Sequence, residues 1–262
     1  MTGQLQNKRV FITGCASGMG RAIALAFARE GARLAIHGRT RGSVRDLFEE
    51  IEAAGGDSRV VAADLADNSS IRGLCDDVVD TLNGVDVVVN NAGAVSKAGL
   101  LETSEANWDE MMQVNLKTPF LISQQLLPVM KQNKQGGRLI FNSSIAAKLP
   151  DPMGSAYNAS KSGVLGLVRC LAAELGEFGI TVNAICPGWV DTPMAERLHM
   201  QMHEDKAESD FEEFYDSSIR SNMLGARITP DSVADFAVFL ASDGSRHITG
   251  QAINVCAGVS LS

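Results

Sequence analysis

The sequence predicts an α/β protein built on one doubly wound parallel sheet of the Rossmann type, with helices on both faces in three layers. Short apolar runs alternate along the chain with longer stretches of helical periodicity, and this β-α-β-α order is typical of parallel sheets. Runs that are apolar throughout, such as residues 85–89, indicate strands covered on both faces. Because polar motifs follow these strands directly, we expect a binding crevice at their carboxyl ends.

The composition indicates a single soluble domain, residues 1–262, and argues against several kinds of partner. Of the 262 residues, 45% are hydrophobic and 21% are charged, which is ordinary for a globular protein. The net charge of −8 and the lack of a Lys/Arg run argue against nucleic acid or an anionic membrane as the main partner. We find no signal-peptide pattern and no run of about 18 apolar residues. Five scattered cysteines without a CxxC pair favour reduced thiols in a cytoplasmic protein.

The first strand, predicted for residues 9–12, leads into a glycine-rich loop. Gly14, Gly18 and Gly20 precede a helix that begins near Arg21. Three glycines in a loop often make only a turn, but a strand before and a helix after them favour nucleotide binding. Such a loop lets the backbone approach a pyrophosphate, and the N–H groups of the helix point at it.

The second strand, residues 33–36, ends where a dinucleotide fold reads the adenosine ribose. A carboxylate there binds the free 2′-hydroxyl of NAD, whereas an arginine accommodates the 2′-phosphate of NADP. Gly38 takes the expected acidic position and Arg39 follows it, with Arg41 and Arg45 near enough to add positive charge. A loop arginine is often merely solvated, but the missing carboxylate favours NADP over NAD.

Two polar residues in the next part of the chain each allow two interpretations. Asp64 ends the third strand, residues 59–63, where it could contact an adenine ring or cap the helix that starts near Asn68. Asn115 lies among apolar neighbours in a helical pattern over residues 107–130, which we expect Pro119 to interrupt. An asparagine there is unfavourable unless its amide is used, so it either opens a kink that holds a water or lies on the surface.

The most informative stretch follows the apolar residues 139–141, which predict a buried strand. Ser143 and Ser144 come where this strand ends, and Tyr157 and Lys161 begin a helical pattern. A spacing of four residues places Tyr157 and Lys161 on one helix face. A cation beside a phenolate lowers the tyrosine pKa from about 10, which would suit a general acid or base. Alone, such a pair is usually a partly buried tyrosine beside a solvated lysine.

The last part of the chain adds two strands and a segment of different character. A strand at residues 181–185 is followed by the motif Pro187-Gly188, and a helix at residues 232–241 precedes a final strand at residues 252–255. Between them, residues 194–228 have helical spacing without a strand signal. We expect this segment to form a small helical lid over the substrate.

Taken together, these motifs resemble those of the short-chain dehydrogenase/reductase family, in its branch of 3-oxoacyl reductases and sugar or polyol dehydrogenases. The resemblance covers essentially the whole chain. The motifs that carry it are Thr13-Gly14-x-x-x-Gly18-x-Gly20, Asn90-Asn91-Ala92-Gly93, Asn115, Ser144, Tyr157-x-x-x-Lys161 and Pro187-Gly188.

The resemblance implies an NAD(P)-dependent oxidoreductase that interconverts a secondary alcohol and a ketone. Tyr157 would be the general acid/base, and Lys161 would lower its pKa and bind the nicotinamide ribose. Ser144 would orient the carbonyl, with Ser143 as the neighbouring candidate, and Asn115 would hold a water that links Lys161 to solvent. The residues implied to hold the cofactor, besides Tyr157 and Lys161, are Thr13, Gly14, Ser17, Gly18, Met19, Gly20, Arg39, Asp64, Leu65, Asn91, Ala92, Gly93, Pro187, Gly188, Val190 and Thr192.

The family also implies a homodimer or homotetramer, formed through the helices that bear Asn115 and Tyr157. One departure bears on this expectation, because Cys256-Ala257 stands where many relatives have Asp-Gly near a subunit interface. The oligomer contact could therefore differ.

Other functions were weighed against this interpretation. A non-catalytic dinucleotide sensor would be indicated by loss of Tyr157 or Lys161, and both are present. His199 and His203 could share a metal, but no third ligand stands out, and we expect no metal. An epimerase or dehydratase of this fold would usually need a longer chain with a separate substrate domain. The sequence predicts no such domain, which argues against these activities.

We expect an alcohol or ketone substrate, and the sequence is compatible with two classes of it, one apolar and one polar. Apolar walls would suit an acyl chain or a ring. Polar side chains would suit a sugar, polyol or hydroxy acid, and the alternative function is a dehydrogenase of one of these that uses NAD. The candidate walls are Trp189, Met194, Phe211, Phe214 and Tyr215, and the candidate polar side chains are Arg197, His199 and His203.

Overall fold

A computed structural model describes residues 3–202 and 211–262 of the chain. Seven parallel strands form one sheet in the order β3-β2-β1-β4-β5-β6-β7. The strands are β1 (Arg9–Ile12), β2 (Arg33–Gly38), β3 (Asp57–Ala62), β4 (Val87–Asn90), β5 (Gly137–Asn142), β6 (Ile180–Pro187) and β7 (Ala252–Val255). The sequence places each of these strands to within about three residues, because every one begins with or contains an apolar run.

Helices cover both faces of the sheet, which confirms the predicted three layers. The described helices are α1 (Gly18–Arg29), α2 (Arg45–Ala53), α3 (Asn68–Leu82), α4 (Glu105–Met112), α5 (Thr118–Met130), α6 (Ser155–Leu175), α7 (Pro193–Met202), α8 (Phe211–Ser221) and α9 (Pro230–Ala241).

Two apolar cores lie on opposite faces of the sheet. Successive side chains of β1 alternate between them, since Ile12 packs in the core under α1 and α9 while Phe11 packs in the core under α3, α5 and α6. Burial on both faces explains why these strands are apolar throughout rather than alternating.

The order of the strands locates the functional crevice. From β1 the chain moves outward to β2 and β3, and it then returns to β4 on the other side of β1. The carboxyl ends of β1 and β4 therefore flank the switch point of the sheet, where ligands bind in folds of this kind.

The predicted helix over residues 107–130 is divided into two. A π-helical segment, Gln113–Lys117, separates α4 from α5 and turns Asn115 into the interior. Pro119 does not cause the interruption, because it lies in the first turn of α5, where its missing N–H is tolerated.

In the described part of residues 194–228, the predicted lid, the structure has two helices. α7 and α8 lie in this segment, and an isolated bridge between Val190 and Ile228 joins its two ends. Among the helices of residues 3–202 and 211–262, none has the length and apolar character to cross a membrane.

Candidate active site

A cleft of about 530 Å³ lies at the carboxyl ends of β1 and β4 and follows the glycine loop. Gly14 and Gly18 have φ values of 72° and 56°, a conformation that glycine adopts without strain. A Cβ atom on Gly20 would lie 2.1 Å from the carbonyl oxygen of Gly14. The loop is therefore folded so tightly that only glycine fits at Gly20, and the cleft wall is backbone.

The position of Thr13 is not the one expected of a residue that contacts the cofactor. It is 2% exposed and does not line the cleft. Its Oγ1 accepts hydrogen bonds from the N–H groups of Asn91 and Ala92, each at 3.0 Å. Thr13 thus fastens the end of β1 to the segment after β4 and supports the wall of the cleft from behind.

Two asparagines link the three loops around the cleft. The Nδ2 of Asn91 donates to the carbonyl oxygens of Thr13 and Gly14, and its Oδ1 accepts from the Nδ2 of Asn142 at 2.9 Å. The Oδ1 of Asn142 is buried and has no hydrogen-bond partner among the described residues. The sequence does not single out Asn142, because it directly follows the predicted strand at residues 139–141 and belongs to no motif.

The start of α1 is suited to a phosphate group. Ser17 is the N-cap residue, and its hydroxyl makes no capping hydrogen bond. The first N–H groups of the helix and this hydroxyl therefore face the cleft, as pyrophosphate binding requires. The glycine backbone, the helix terminus and the unpartnered Asn142 acceptor together fit a dinucleotide.

The turn after β2 is crowded at Gly38, the position where a carboxylate would bind the ribose. A Cβ atom on Gly38 would lie 2.3 Å from the Oγ of Ser43 and 2.8 Å from a methyl group of Val44. Arg39 is exposed and lines the cleft beside Gly38. The turn thus presents a cation and no acid to this end of the cleft.

The other two arginines of this turn are directed elsewhere. Arg41 donates to the carbonyl oxygen of Val60 at 2.8 Å, and Arg45 pairs with Glu49 one helical turn away. Neither lines the cleft, so the extra positive charge expected from them is not directed into it.

Asp64 does not cap α3, which corrects one of its two interpretations. Asp67 is the N-cap and accepts from the Ser69 N–H at 2.8 Å, because it directly precedes the helix. Asp64 is exposed and accepts from Ala66, whereas Leu65 is buried and its carbonyl accepts from Thr118. Neither Asp64 nor Leu65 lines the cleft.

Tyr157 stands between the dinucleotide cleft and a second cavity of about 260 Å³, and it lines both. The Ser144 side chain lies within hydrogen-bonding reach of its phenol. Lys161 is 5% exposed, lies 5.7 Å from the centre of the Tyr157 ring, and donates from Nζ to the carbonyl oxygen of Asn142 at 2.8 Å. Strand β5 and helix α6 thus bring the three predicted side chains together.

The structure also separates Ser144 from Ser143. Ser143 is buried, and its hydroxyl donates to the carbonyl oxygen of Lys161 at 3.1 Å. The Oγ of Ser144 accepts from the Ala146 N–H at 3.1 Å and lines the second cavity. The geometry therefore favours Ser144 over Ser143 for contact with a substrate oxygen.

The pKa values of the pair differ from the expectation. Burial raises the pKa of Tyr157 to about 12, and the hydrogen bond with Ser144 only partly opposes this. Burial likewise lowers the pKa of Lys161 to about 8. We expected the lysine to lower the pKa of the tyrosine, but the loss of hydration on burial sets the direction of the shift, which is upward.

Asn115 is 2% exposed, so the surface interpretation is wrong. Its amide is fully engaged with the main chain of Ala94 and with the hydroxyl of Ser160. The π-helical segment provides the predicted kink, and the side chain ties the loop after β4 to α6.

The second cavity is mostly apolar and adjoins the lid. Trp189 and Met194 line it, as does an ion pair between Lys97 and Asp151. Gly188 and Val190 also line this cavity rather than the dinucleotide cleft, Thr192 lines both, and Pro187 lines neither.

Several predicted substrate contacts of the lid lie elsewhere. Tyr215 is buried, and its hydroxyl donates to the carbonyl oxygens of Trp189 and Ile228, so it anchors the lid and does not line the cavity. Arg197 lines the dinucleotide cleft, and His199 is buried. His203 and the side chains of Phe211 and Phe214 lie outside the described part of the chain. Within that part, no group of acidic, histidine and cysteine side chains could hold a metal ion.

One buried histidine supports the glycine loop. His37 accepts at Nδ1 from the N–H of Gly14 at 3.2 Å, so its Nε2 carries the proton and donates to the carbonyl oxygen of Ala63 at 3.1 Å. Burial lowers the pKa of His37, which keeps the ring neutral. The sequence carried no signal for this contact beyond the position of His37 at the end of β2.

Comparison with known proteins supports the class of protein that this fold and site define, a dinucleotide-binding oxidoreductase. A protein-family model with the description enoyl-(acyl carrier protein) reductase matches residues 14–260. The chain is 38% identical over 257 residues to the (2S)-[(R)-hydroxy(phenyl)methyl]succinyl-CoA dehydrogenase subunit BbsD of Thauera aromatica, covering 98% of each chain. It is 34% identical over 256 residues to the 3-oxoacyl-[acyl-carrier-protein] reductase FabG of Thermotoga maritima, covering 98% of this chain and 99% of the relative.

Solved structures agree with these relatives. The crystal structure of an actinorhodin polyketide ketoreductase variant with NADPH superposes with a TM-score of 0.90 at 32% identity, covering 99% of each chain. The chain belongs to the short-chain dehydrogenase/reductase family, and it is an oxidoreductase of that family.

Proposed function

We propose that the protein interconverts a secondary alcohol and a ketone with a nicotinamide dinucleotide, preferably NADP, and that Tyr157 is the general acid/base. The observation that carries this proposal is the position of Tyr157. It is shared by the dinucleotide cleft and the second cavity, and the Ser144 side chain lies beside its phenol. A proton donor at that border can reach a substrate whose carbonyl carbon faces the cleft.

The residues have distinct roles in this mechanism. The Ser144 hydroxyl donates a hydrogen bond to the substrate oxygen, and the Tyr157 phenol gives that oxygen a proton during reduction or removes one during oxidation. Lys161 lies behind Tyr157, where its cation stabilises the phenolate. The dinucleotide supplies or accepts the hydride. The glycine loop, Ser17 and the start of α1 would hold its phosphates, and the Asn142 Oδ1 gives the cleft a further acceptor.

The test is the substitution Tyr157→Phe, which removes only the hydroxyl. We expect turnover of a panel of ketones, followed by the absorbance of NADPH, to fall by about a thousandfold or more, while NADPH binding measured by calorimetry is retained. A variant with undiminished turnover would exclude Tyr157 as the acid/base. Dinucleotide binding without turnover of any substrate by the unsubstituted protein would support the non-catalytic sensor instead.

The preference for NADP is supported by the turn after β2. The position of Gly38, where a carboxylate would bind a ribose 2′-hydroxyl, is crowded, and Arg39 lies on the cleft wall. We expect Arg39→Ala to weaken NADPH binding by about tenfold or more and to leave NADH binding unchanged. Arg45→Ala is the matched control, because Arg45 pairs with Glu49 outside the cleft. Equal losses for both dinucleotides would mean that Arg39 does not read the 2′-phosphate.

The substrate class is narrowed by the walls of the second cavity. Val95, Ile145, Leu149, Trp189 and Leu198 line it, and their apolar surface supports a ketone with a ring or acyl chain over a sugar or polyol. Comparison of aromatic and aliphatic ketones with ketoses of similar size tests this. Faster turnover of the ketoses would overturn it.

The oligomeric state and the cellular compartment do not depend on the chemistry of the site. We infer a homodimer or homotetramer, as is common in this family, and sedimentation equilibrium would test it by the mass in solution. We place the protein in the cytoplasm, since all five cysteines are free, as a reducing compartment would keep them.

A further inference from the structure

The second cavity contains one pair of charged side chains among its described lining residues, Lys97 and Asp151. Lys97 follows β4 and Asp151 precedes α6, and their ion pair bridges the two loops. A backbone hydrogen bond of 2.8 Å from Ala98 to Met153 joins the same loops beside them. The pair is therefore held in place by its surroundings.

The pair is too buried to be an ordinary surface ion pair. The side chain of Lys97 is 5% exposed and that of Asp151 is 32% exposed. Removing two such charges from water is costly, and apolar side chains of similar size often stabilise a protein as well or better. A charged pair among apolar cavity walls therefore points to binding rather than to stability.

The contacts of the pair leave hydrogen-bonding capacity on both partners. The ammonium group of Lys97 has three N–H donors, and the described residues account for two acceptors, Asp151 Oδ1 and the carbonyl oxygen of Pro152 at 3.4 Å. The other oxygen of Asp151, Oδ2, has no hydrogen-bond partner among residues 3–202 and 211–262. The pair thus offers one donor and one acceptor and carries no net charge.

We propose that Lys97 and Asp151 bind the polar end of the substrate, and that this end is an uncharged group that both accepts and donates hydrogen bonds, such as a hydroxyl or an amide on an otherwise apolar ketone. This rests on the proposed function, since it names the substrate class of the same site. The accepting oxygen of the group faces Lys97, and its O–H or N–H faces Asp151.

Charged substrate groups fit the pair less well. A carboxylate drawn to Lys97 would approach the carboxylate of Asp151, and an ammonium group drawn to Asp151 would approach Lys97. In a cavity with apolar walls such repulsion is weakly screened. The pair therefore selects against both signs of charge.

The ion pair and the acid/base lie close enough to act on one substrate molecule. Tyr157 lines the same cavity, and the charge of Asp151 contributes to raising the pKa of Tyr157. A substrate of moderate size can therefore present its carbonyl to Tyr157 while its other end contacts Lys97 and Asp151.

The experiment uses four aryl ketones that differ only in one terminal group: a primary amide, a methyl group, a carboxylate and a protonated amine. Their affinities are measured by calorimetry with the full chain saturated with NADP⁺, so that binding is read without turnover. We expect the amide to bind at least about tenfold more tightly than the methyl compound, and both charged compounds to bind more weakly than the amide.

Two single variants and their combination make the prediction specific. Asp151→Asn keeps the shape and leaves the lysine cation, so the carboxylate compound gains at least about tenfold relative to the amide. Lys97→Met leaves the carboxylate anion, so the amine compound gains instead. The double variant with Lys97→Met and Asp151→Leu binds the methyl compound best. If one variant does not fold, the inference is still tested by the order of the four affinities with the unsubstituted protein and with the other variant.

The outcomes separate this inference from the proposed function. Equal affinities for the four compounds, or variants that change all four alike, would overturn the inference, even if the ketones are reduced. Absence of NADPH-dependent reduction would overturn the proposed function. The affinities of the four aryl ketones would still test whether Lys97 and Asp151 bind the polar group.

Discussion

The side chain of Asn115 forms hydrogen bonds with both main-chain polar groups of Ala94. The Oδ1 of Asn115 accepts from the Ala94 N–H at 2.8 Å, and its Nδ2 donates to the Ala94 carbonyl oxygen at 2.9 Å. The same Nδ2 donates to the hydroxyl of Ser160, the neighbour of Lys161 in α6. One buried amide therefore fixes the loop that forms the cleft wall relative to the helix that carries Tyr157 and Lys161.

Replacing Asn115 with leucine should loosen this wall. Asn115→Leu keeps the volume but leaves the main-chain groups of Ala94 and the hydroxyl of Ser160 without this partner, so we expect a loss of about 2–4 kcal/mol in the free energy of unfolding. Urea unfolding followed by circular dichroism measures it. Gln124→Leu, at an exposed position of α5, is the control and should change stability by less than about 0.5 kcal/mol. Equal effects of the two substitutions would contradict the role of Asn115.

Gly20→Ala should abolish dinucleotide binding by steric conflict. The added Cβ would lie 2.1 Å from the Gly14 carbonyl oxygen and 2.5 Å from the Asn91 Nδ2, both fixed by the glycine loop. We expect NADPH affinity measured by calorimetry to fall by about a hundredfold or more. The control is Gly73→Ala in α3, where a Cβ meets no atom within 4 Å and the helix should gain up to about 1 kcal/mol. If Gly20→Ala retained its affinity for NADPH, the glycine loop would be able to shift and admit a side chain.

His37 should make stability depend on pH in a defined window. Burial lowers its pKa below 6.5, so only well above pH 6.5, at about pH 8, is the group unprotonated in both the folded and the unfolded state. As the pH falls below 6.5 the unfolded state binds a proton first, and the free energy of unfolding decreases by at most about 1.4 kcal/mol per pH unit.

The substitution His37→Gln isolates this contribution. The difference in unfolding free energy between the protein and the variant should shrink as the pH falls from 6.5 towards 5, because only the unsubstituted protein loses the His37 contribution. All other residues are the same in the two proteins, so their contributions cancel in the difference. A pH-independent difference would mean that His37 is protonated with its ordinary pKa when folded.

The two directions of catalysis should respond to pH differently. Burial raises the pKa of Tyr157 to about 12, so its phenol holds the proton that ketone reduction needs throughout the neutral range. Alcohol oxidation needs the phenolate, whose population rises with pH. We expect kcat/KM for reduction to be nearly flat between about pH 6 and pH 7.5, and kcat/KM for oxidation to rise with pH up to about 8, the pKa of Lys161, above which the cation beside the phenolate is lost. A flat profile for oxidation would exclude Tyr157 as the base.

Much of the fold follows from local patterns. Strands β1 and β7 begin and end as the sequence predicts, and helix α3 begins where it predicts, because apolar runs and helical periodicity report burial directly. The side chains of Ser144, Tyr157 and Lys161 also meet as expected. Their spacing along one strand and one helix is a local property once the two elements pack together.

Other parts of the site depend on contacts between distant segments. Lys97 and Asp151 lie in different loops and share no periodicity, so only the packed structure reveals their ion pair. Asn142 looks like the polar end of a strand until the loops around it are in place. The direction of the Tyr157 pKa shift was missed for a related reason, since sequence shows a neighbouring cation but not the depth of burial.

The crowded turn at Gly38 has a consequence for how this protein can change through mutation. A codon change from glycine to aspartate at this position places a side chain against Ser43 and Val44 before any ribose contact can form. Under the proposed preference for NADP, a carboxylate at residue 38 would therefore also require Ser43 and Val44 to move. We expect laboratory evolution towards NADH to change neighbouring residues of this turn together with Gly38.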